Sequence, residues 1–238
     1  MKPCIVLPTY NERENITKIV PAILEVYRNN KIDGMILVVD DNSPDGTGRL
    51  ADQLSTKDRR VKVLHRKAKE GLGRAYIAGF KKAMSLGADV ILEMDADFSH
   101  DPKYLPALLG GLKEYDLMLG SRYIPGGGIP DWGPSRRLIS WGGNTFARLL
   151  TGLKTRDITG GYRAYKREVL EKMDLNAIQS NGYEFQAEML FNTKRLGFKI
   201  GETPIIFRDR RVGQSKMSSK DIIGFFKLCF KLFFKRLT

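Results

Sequence analysis

Through its first 120 residues the chain alternates short, continuous runs of Val, Ile and Leu with segments of helical periodicity. The runs are Cys4 to Leu7, Met35 to Val39, Val61 to Leu64, Val90 to Met94 and Leu117 to Leu119. Between the first two, Ile16, Ile19, Val20, Ile23, Leu24 and Tyr27 fall on one face of a helix. A strand without a polar side must be covered on both faces, and strand–helix–strand alternation joins strands in parallel. These features predict an α/β fold: a Rossmann-like, mainly parallel sheet flanked by helices. Ligands of such sheets bind beyond the carboxyl ends of the strands, so the residues there are the candidates for function.

Three strand ends carry polar and acidic groups. The first run leads into Pro8-Thr9-Tyr10-Asn11-Glu12, the second into Asp40-Asp41-Asn42-Ser43-Pro44-Asp45-Gly46-Thr47, and the fourth into Asp95-Ala96-Asp97. Taken alone, the second is also good turn chemistry, in which Ser43 or Asp45 caps a helix. Asp95 and Asp97 have more definite chemistry. Carboxylates at i and i+2 leaving a strand can face one side, and hard oxygen ligands suit Mg²⁺ or Mn²⁺. So few protein ligands imply that phosphate oxygens complete the shell, which points to a nucleoside diphosphate. No G-x-G-x-x-G follows the first strand and no Walker-type loop is present, so dinucleotide binding and P-loop hydrolysis are disfavoured.

Beyond Gly120 the pattern loosens. Tyr123 to Pro134 holds four glycines and three prolines and reads as a long loop. Helices are expected over Arg136 to Leu150 and Tyr183 to Arg195, and a strand over Lys199 to Phe207. The net charge of +13 suits an anionic partner, and it gathers toward the end of the chain, with 11 Lys/Arg against 3 Asp/Glu from Arg195 onward. Cys4 and Cys229 lie at opposite ends of the chain, one in an expected buried strand and one in an apolar helix, so no disulfide framework or metal-ligand spacing follows, and His65 and His100 are too few for a His-based metal cluster. The expected setting is a reducing compartment, and the early first strand argues against a signal peptide.

In this order the segments resemble the family 2 inverting glycosyltransferases of GT-A fold, most nearly the dolichyl-phosphate (polyprenyl-phosphate) mannose synthases among them. The resemblance is carried by Leu7-Pro8-Thr9-Tyr10-Asn11-Glu12-Arg13-Glu14-Asn15, Asp40 to Thr47, Gly71-Leu72-Gly73 and Met94 to His100. It continues through Gly120-Ser121-Arg122-Tyr123, Trp132, Arg136-Arg137, Asp157 to Arg163 and Gly213-Gln214-Ser215-Lys216. It implies transfer of mannose from GDP-mannose to dolichyl or polyprenyl phosphate, with Mg²⁺ or Mn²⁺ as cofactor. Pro8, Tyr10, Glu12, Val39 and Asp41 would line the guanosine pocket. Asp95, Ala96 and Asp97 would meet the diphosphate and its metal, with Asp95 and Asp97 as ligands. Arg122, Arg210 and Lys216 match basic positions around the phosphates, and Arg136 matches the contact to the acceptor phosphate. Asp97, Arg122 and Arg136 are therefore the catalytic candidates. Some members carry Gln where this chain has Ser99, whose shorter side chain leaves room for water at the metal.

Residues 218–238 read as an amphipathic helix, with Lys220, Lys227, Lys231 and Lys235 along one stripe and Ile222, Ile223, Phe225, Phe226, Leu228, Phe230, Leu232, Phe233 and Phe234 elsewhere. Its longest uncharged stretch, Ile222 to Phe226, is far below the roughly 20 residues that span a bilayer. It suits a helix lying in the membrane interface, or one docked on the protein's own core. The expected organisation is a catalytic domain over 1–217 and a membrane-associating helix over 218–238. The protein would sit peripherally on the cytosolic membrane face, alone or with small membrane subunits. A UDP-sugar donor such as UDP-glucose is the alternative within the same chemistry. Nucleic acid is not an expected partner, since acidic strand ends repel a phosphate backbone and no RNP-like or helix-turn-helix signature is present.

Overall fold

The structure, a computed structural model, describes residues 1–182, 184–209 and 219–237. Among them, β1 (Pro3–Thr9), β2 (Met35–Asp40), β3 (Val61–His65), β4 (Val90–Glu93), β5 (Leu117–Ser121), β6 (Arg163–Lys166) and β7 (Ile200–Pro204) form one sheet, in the order β3-β2-β1-β4-β6-β5-β7. Pairing is parallel except at β6, which runs antiparallel to both β4 and β5. The helices are α1 (Arg13–Asn29), α2 (Thr47–Lys57), α3 (Leu72–Ser85), α4 (Leu105–Gly111), α5 (Pro134–Thr151), α6 (Arg167–Lys172), α7 (Phe185–Arg195) and α8 (Ser219–Leu237). Five apolar runs of the sequence thus become five strands.

Alternate side chains of β1 divide between two cores, as the pleat requires. Ile5 and Leu7 join Ile16, Ile19, Val20, Ile23 and Tyr27 of α1 on one face. Cys4 and Val6 join Tyr76 and Phe80 of α3 and Phe185, Met189 and Leu190 of α7 on the other. The Gly71-Leu72-Gly73 segment is what lets α3 start close under the chain before α7. A Cβ on Gly73 would lie 2.5 Å from the Ser180 carbonyl oxygen, and Gly71 has φ +106° and a Cβ there would lie 2.8 Å from the Asn181 carbonyl oxygen.

β6 was not foreseen from sequence. It has only four residues, two of them charged, so no apolar run marks it. It nonetheless sits deep in the sheet, where Arg163 is cross-strand neighbour to Glu93 of β4 and Leu119 of β5. The expected strand over Lys199 to Phe207 is shorter, ending at Pro204.

α8 has two apolar faces. Phe225, Leu228, Cys229 and Leu232 are buried in the same core as α3 and α7. Ile223, Phe226, Phe230 and Phe234 are exposed, although Phe226 and Phe230 make edge contacts with Phe146 of α5 at ring-centre distances of 4.9 and 5.8 Å. No helix of the described residues is long and apolar enough to cross a membrane.

Candidate active site

The carboxyl ends of β1, β2 and β4 lie along one edge of the sheet. At β2, the segment from Asp40 to Thr47 is largely bonded to itself. Ser43 donates from its hydroxyl to Asp40 Oδ1 at 2.6 Å, and Thr47 donates from N–H and Oγ to Asp45 Oδ1 at 2.9 and 2.6 Å. Asp41 is nearly buried and paired with Arg66 at 2.5 Å. Burial pushes its carboxyl above the usual range, against the pull of Arg66. Tyr10 carries the Lys69 ammonium over its ring at 4.3 Å, and Pro8 and Glu12 are half-buried beside it in sequence. The Val39 side chain is fully buried, and a Cβ at Gly79 of α3 would stand 3.1 Å from it, so it packs on α3. Ala96 also joins the core.

Past β4 the chain turns sharply, with Phe98 at φ 65°. Asp95 is one-third exposed, and its Oδ1 accepts from the Tyr76 hydroxyl at 3.3 Å. Asp97 is 4% exposed, and its Oδ1 accepts from the Ser99 N–H at 3.0 Å. The Ser99 hydroxyl is buried with no hydrogen-bond partner. The Asp95 N–H donates to His100 Nδ1 at 3.0 Å, which leaves the ring proton on Nε2. Burial lowers the His100 pKa and keeps the imidazole neutral.

Asp95, Ser99 and His100 open onto a cavity of about 380 Å³ that runs to α5 and α8. Leu72, Arg122, Trp132, Arg136 and Thr159 to Gly161 line it too, so the structure brings six of the quoted segments together. Pro8, Tyr10, Glu12 and Asp41 are not among its lining residues and remain at the β1 and β2 ends. Arg210 and Lys216 lie outside the described residues.

Both arginines are already held. Arg122 gives Asp157 a two-pronged pair, from Nε at 2.7 Å and Nη2 at 2.6 Å, and Nη2 also reaches Thr159. Burial opposes its charge, but Asp157 more than offsets this and the guanidinium pKa is raised. Arg136 stacks on Trp132 at 4.0 Å and pairs with Asp209 at 3.0 Å, while Trp132 Nε1–H donates to the same carboxylate. These partners were not legible beforehand. Asp157 lies in a quoted segment without a stated role, Asp209 hides in a basic stretch, and Tyr76 and Gln186 look like ordinary helix residues.

Beneath the cavity lies a buried polar network. Glu93 accepts from the Tyr165 hydroxyl at 2.9 Å and from the Gln186 amide at 2.7 Å. Arg163, fully buried, donates to the carbonyls of Gly160, Ile158 and Gln186 at 2.8 Å each. Burial pushes the Glu93 carboxyl up to about 7, with Arg163, Gln186 and Tyr165 restraining it.

Comparison with known proteins agrees with this architecture. The chain is 49% identical over 224 residues to the undecaprenyl-phosphate mannosyltransferase of Micrococcus luteus, covering 94% of this chain and 90% of the relative. It is 48% identical over 220 residues to the polyprenol monophosphomannose synthase of Mycolicibacterium smegmatis, covering 92% and 82%. Glucosyl-3-phosphoglycerate synthase from Mycobacterium tuberculosis, crystallised with Mn²⁺, uridine diphosphate and glucosyl-3-phosphoglycerate, has the same fold at 19% identity. Its TM-score is 0.68, over 99% of this chain and 79% of that one. Residues 4–174 match the glycosyl transferase family 2, and the chain belongs to that family.

Proposed function

We propose that this protein transfers mannose from GDP-mannose to the phosphate of a long polyprenol, with inversion at the anomeric carbon. The observation that carries the reading is the cavity itself. It is lined by Asp95, Arg122 and Arg136 together with Ile139 of α5 and Phe225 and Phe226 of α8, so one space meets both charged and apolar groups. A sugar diphosphate and a lipid phosphate need such a space. The names of the two close relatives point the same way.

A divalent cation fits the charged end. The donors are hard oxygens: the Asp95 carboxylate and the unpartnered Ser99 hydroxyl line the cavity, and the Asp97 carboxylate, 4% exposed, stands two residues past Asp95. No group of three acidic, His or Cys side chains among the described residues could hold a metal alone. That is the pattern of Mg²⁺ or Mn²⁺ bound through one or two carboxylates and substrate phosphates. When bound, the ion offsets charge developing on the departing GDP. Pro8, Tyr10, Glu12 and Asp41 hold the guanosine, and the basic residues Arg122, Arg210 and Lys216 surround the phosphates. Asp157 fixes the Arg122 fork so that no reorganisation is needed as charge builds. Arg136, presented by Trp132, positions the acceptor phosphate, which must compete with Asp209 for it. A phosphate monoester is already anionic near neutral pH, so it attacks without a strong general base.

The acceptor is met at a membrane. Leu138, Ile139, Trp141 and Leu149 of α5 are exposed beside Ile223, Phe226, Phe230 and Phe234 of α8. An open cleft of about 760 Å³, lined by Arg122, Arg137, Leu138 and Trp141 among others, runs along the same side. Lys227, Lys231, Lys235 and Arg236 on α8 are exposed, and each basic residue near an anionic surface contributes about 1 kcal/mol. These features support a peripheral position on the cytosolic face, where α8 both completes the core and meets lipid. Serine at Leu149, Phe230 and Phe234 together should leave the melting temperature nearly unchanged. Sedimentation with anionic liposomes should weaken by more than about tenfold, since each buried Leu or Phe contributes about 1.5–3 kcal/mol. Undiminished sedimentation would move the membrane contact elsewhere.

The decisive assay is radiolabelled GDP-mannose with polyprenyl phosphate, scored for lipid-soluble label with and without EDTA, with UDP-glucose in parallel. Label should appear from GDP-mannose alone, vanish with EDTA and return with Mn²⁺ or Mg²⁺. In the same assay Arg136→Ala should raise KM for the lipid phosphate about 10- to 100-fold and barely alter KM for GDP-mannose. Equal changes in both would assign Arg136 to the donor or the fold.

A further inference from the structure

Gln186, in the first turn of α7, is 3% exposed and lines the cavity, yet its Oε1 has no hydrogen-bond partner. Its orientation is not free. The backbone carbonyl of Gln186 accepts from Arg163 at 2.8 Å, and its amide nitrogen donates to Glu93 Oε2 at 2.7 Å. The other Glu93 oxygen accepts from the Tyr165 hydroxyl, and with its NH₂ toward Glu93 the amide turns its oxygen away. A buried acceptor without a donor costs stability, and such groups persist where a ligand supplies the missing bond.

The surroundings suit a sugar. Gly161 lines the cavity beside Gln186 and His100. A Cβ there would stand 3.3 Å from Gln186 Nε2 and 3.7 Å from His100 Cε1, so a side chain at 161 would take up space next to both. Asp95 lies on the same cavity, at the end where the diphosphate is placed. We propose that Gln186 is a specificity-determining residue for the donor hexose, its Oε1 accepting a hydrogen bond from one sugar hydroxyl seated over Gly161. This rests on the reading of the cavity as a nucleoside-diphosphate-sugar site. The clamp by Glu93 and Arg163 makes the acceptor pre-organised, and a hydroxyl missing at that position leaves it unpaired. A site of this kind rejects a deoxy analogue far more strongly than apolar contact could.

The test compares GDP-mannose with its 2-, 3-, 4- and 6-deoxy analogues. The wild-type enzyme should lose about 10- to 100-fold in kcat/KM for the one analogue lacking the recognised hydroxyl. Gln186→Met should lose a similar factor on GDP-mannose and treat that analogue and the parent alike, while binding GDP normally. The reciprocal exchange Glu93→Gln with Gln186→Glu keeps the buried pair and an acceptor oxygen, and should restore the discrimination if Gln186→Met proves unstable. Unchanged discrimination in folded Gln186→Met, or no selective loss in the wild type, would overturn the proposal. If the wild type uses UDP-glucose and not GDP-mannose, the donor reading fails. The same deoxy series built on UDP-glucose then decides the role of Gln186.

Discussion

Asp97→Asn should lower the transfer rate by at least about 10²- to 10³-fold while the protein stays folded. The substituted amide keeps an oxygen to accept from the Ser99 N–H, so the turn after β4 retains its bond. What it loses is a negative hard oxygen beside Asp95, and with it much of the affinity for a divalent cation. Steady-state rates at saturating GDP-mannose over a Mn²⁺ titration would show the loss, and a thermal melt would show an intact fold. A wild-type rate at saturating metal would remove Asp97 from the site. The sequence placed this residue at an exposed strand end. The structure buries it, so the substitution is best made isosterically, since alanine would also empty a packed position.

The second large effect concerns stability. Arg163→Met should destabilise the fold by about 3–5 kcal/mol, read as a lowered urea midpoint, because three buried carbonyls lose their donor and buried Glu93 loses a nearby cation. Glu93 would remain in the sheet without its cross-strand cation, and three carbonyls would lose their donor. Two of them, at Ile158 and Gly160, belong to the loop under the cavity, so activity should fall even where the variant is folded. An unchanged midpoint would mean that water or relaxation replaces the guanidinium. Arg163→Lys should recover little, since three donors on one nitrogen cannot span acceptors that three separate guanidinium nitrogens reach.

The sheet was legible because its evidence is local. Continuous apolar runs in β1, β2, β4 and β5 and the helical stripe of α1 follow from the neighbours of each residue in the chain. So does the delivery of Asp95 and Asp97 to the carboxyl edge, which a parallel strand entails wherever it lies. β6 escaped because its burial comes from strands about 45 to 75 residues away in sequence, and its arginine is acceptable inside the sheet through the nearby Glu93 and three carbonyls. α8 could be read as docked or as interfacial, and its packing shows one face buried with another exposed.

By itself, then, the order of residues determined the α/β sheet, the acidic strand ends and the family resemblance, since periodicity and motif spacing are properties of the chain. Tertiary structure alone decided which charges are committed. Arg122 belongs to Asp157, Arg136 to Asp209 and Trp132, Asp41 to Arg66, and Val39 to the core. It also decided that Gln186 keeps an unpaired oxygen at the cavity. A side chain's partners are set by distance in space, and burial then sets the strength of each pairing, so neither is written in separation along the chain.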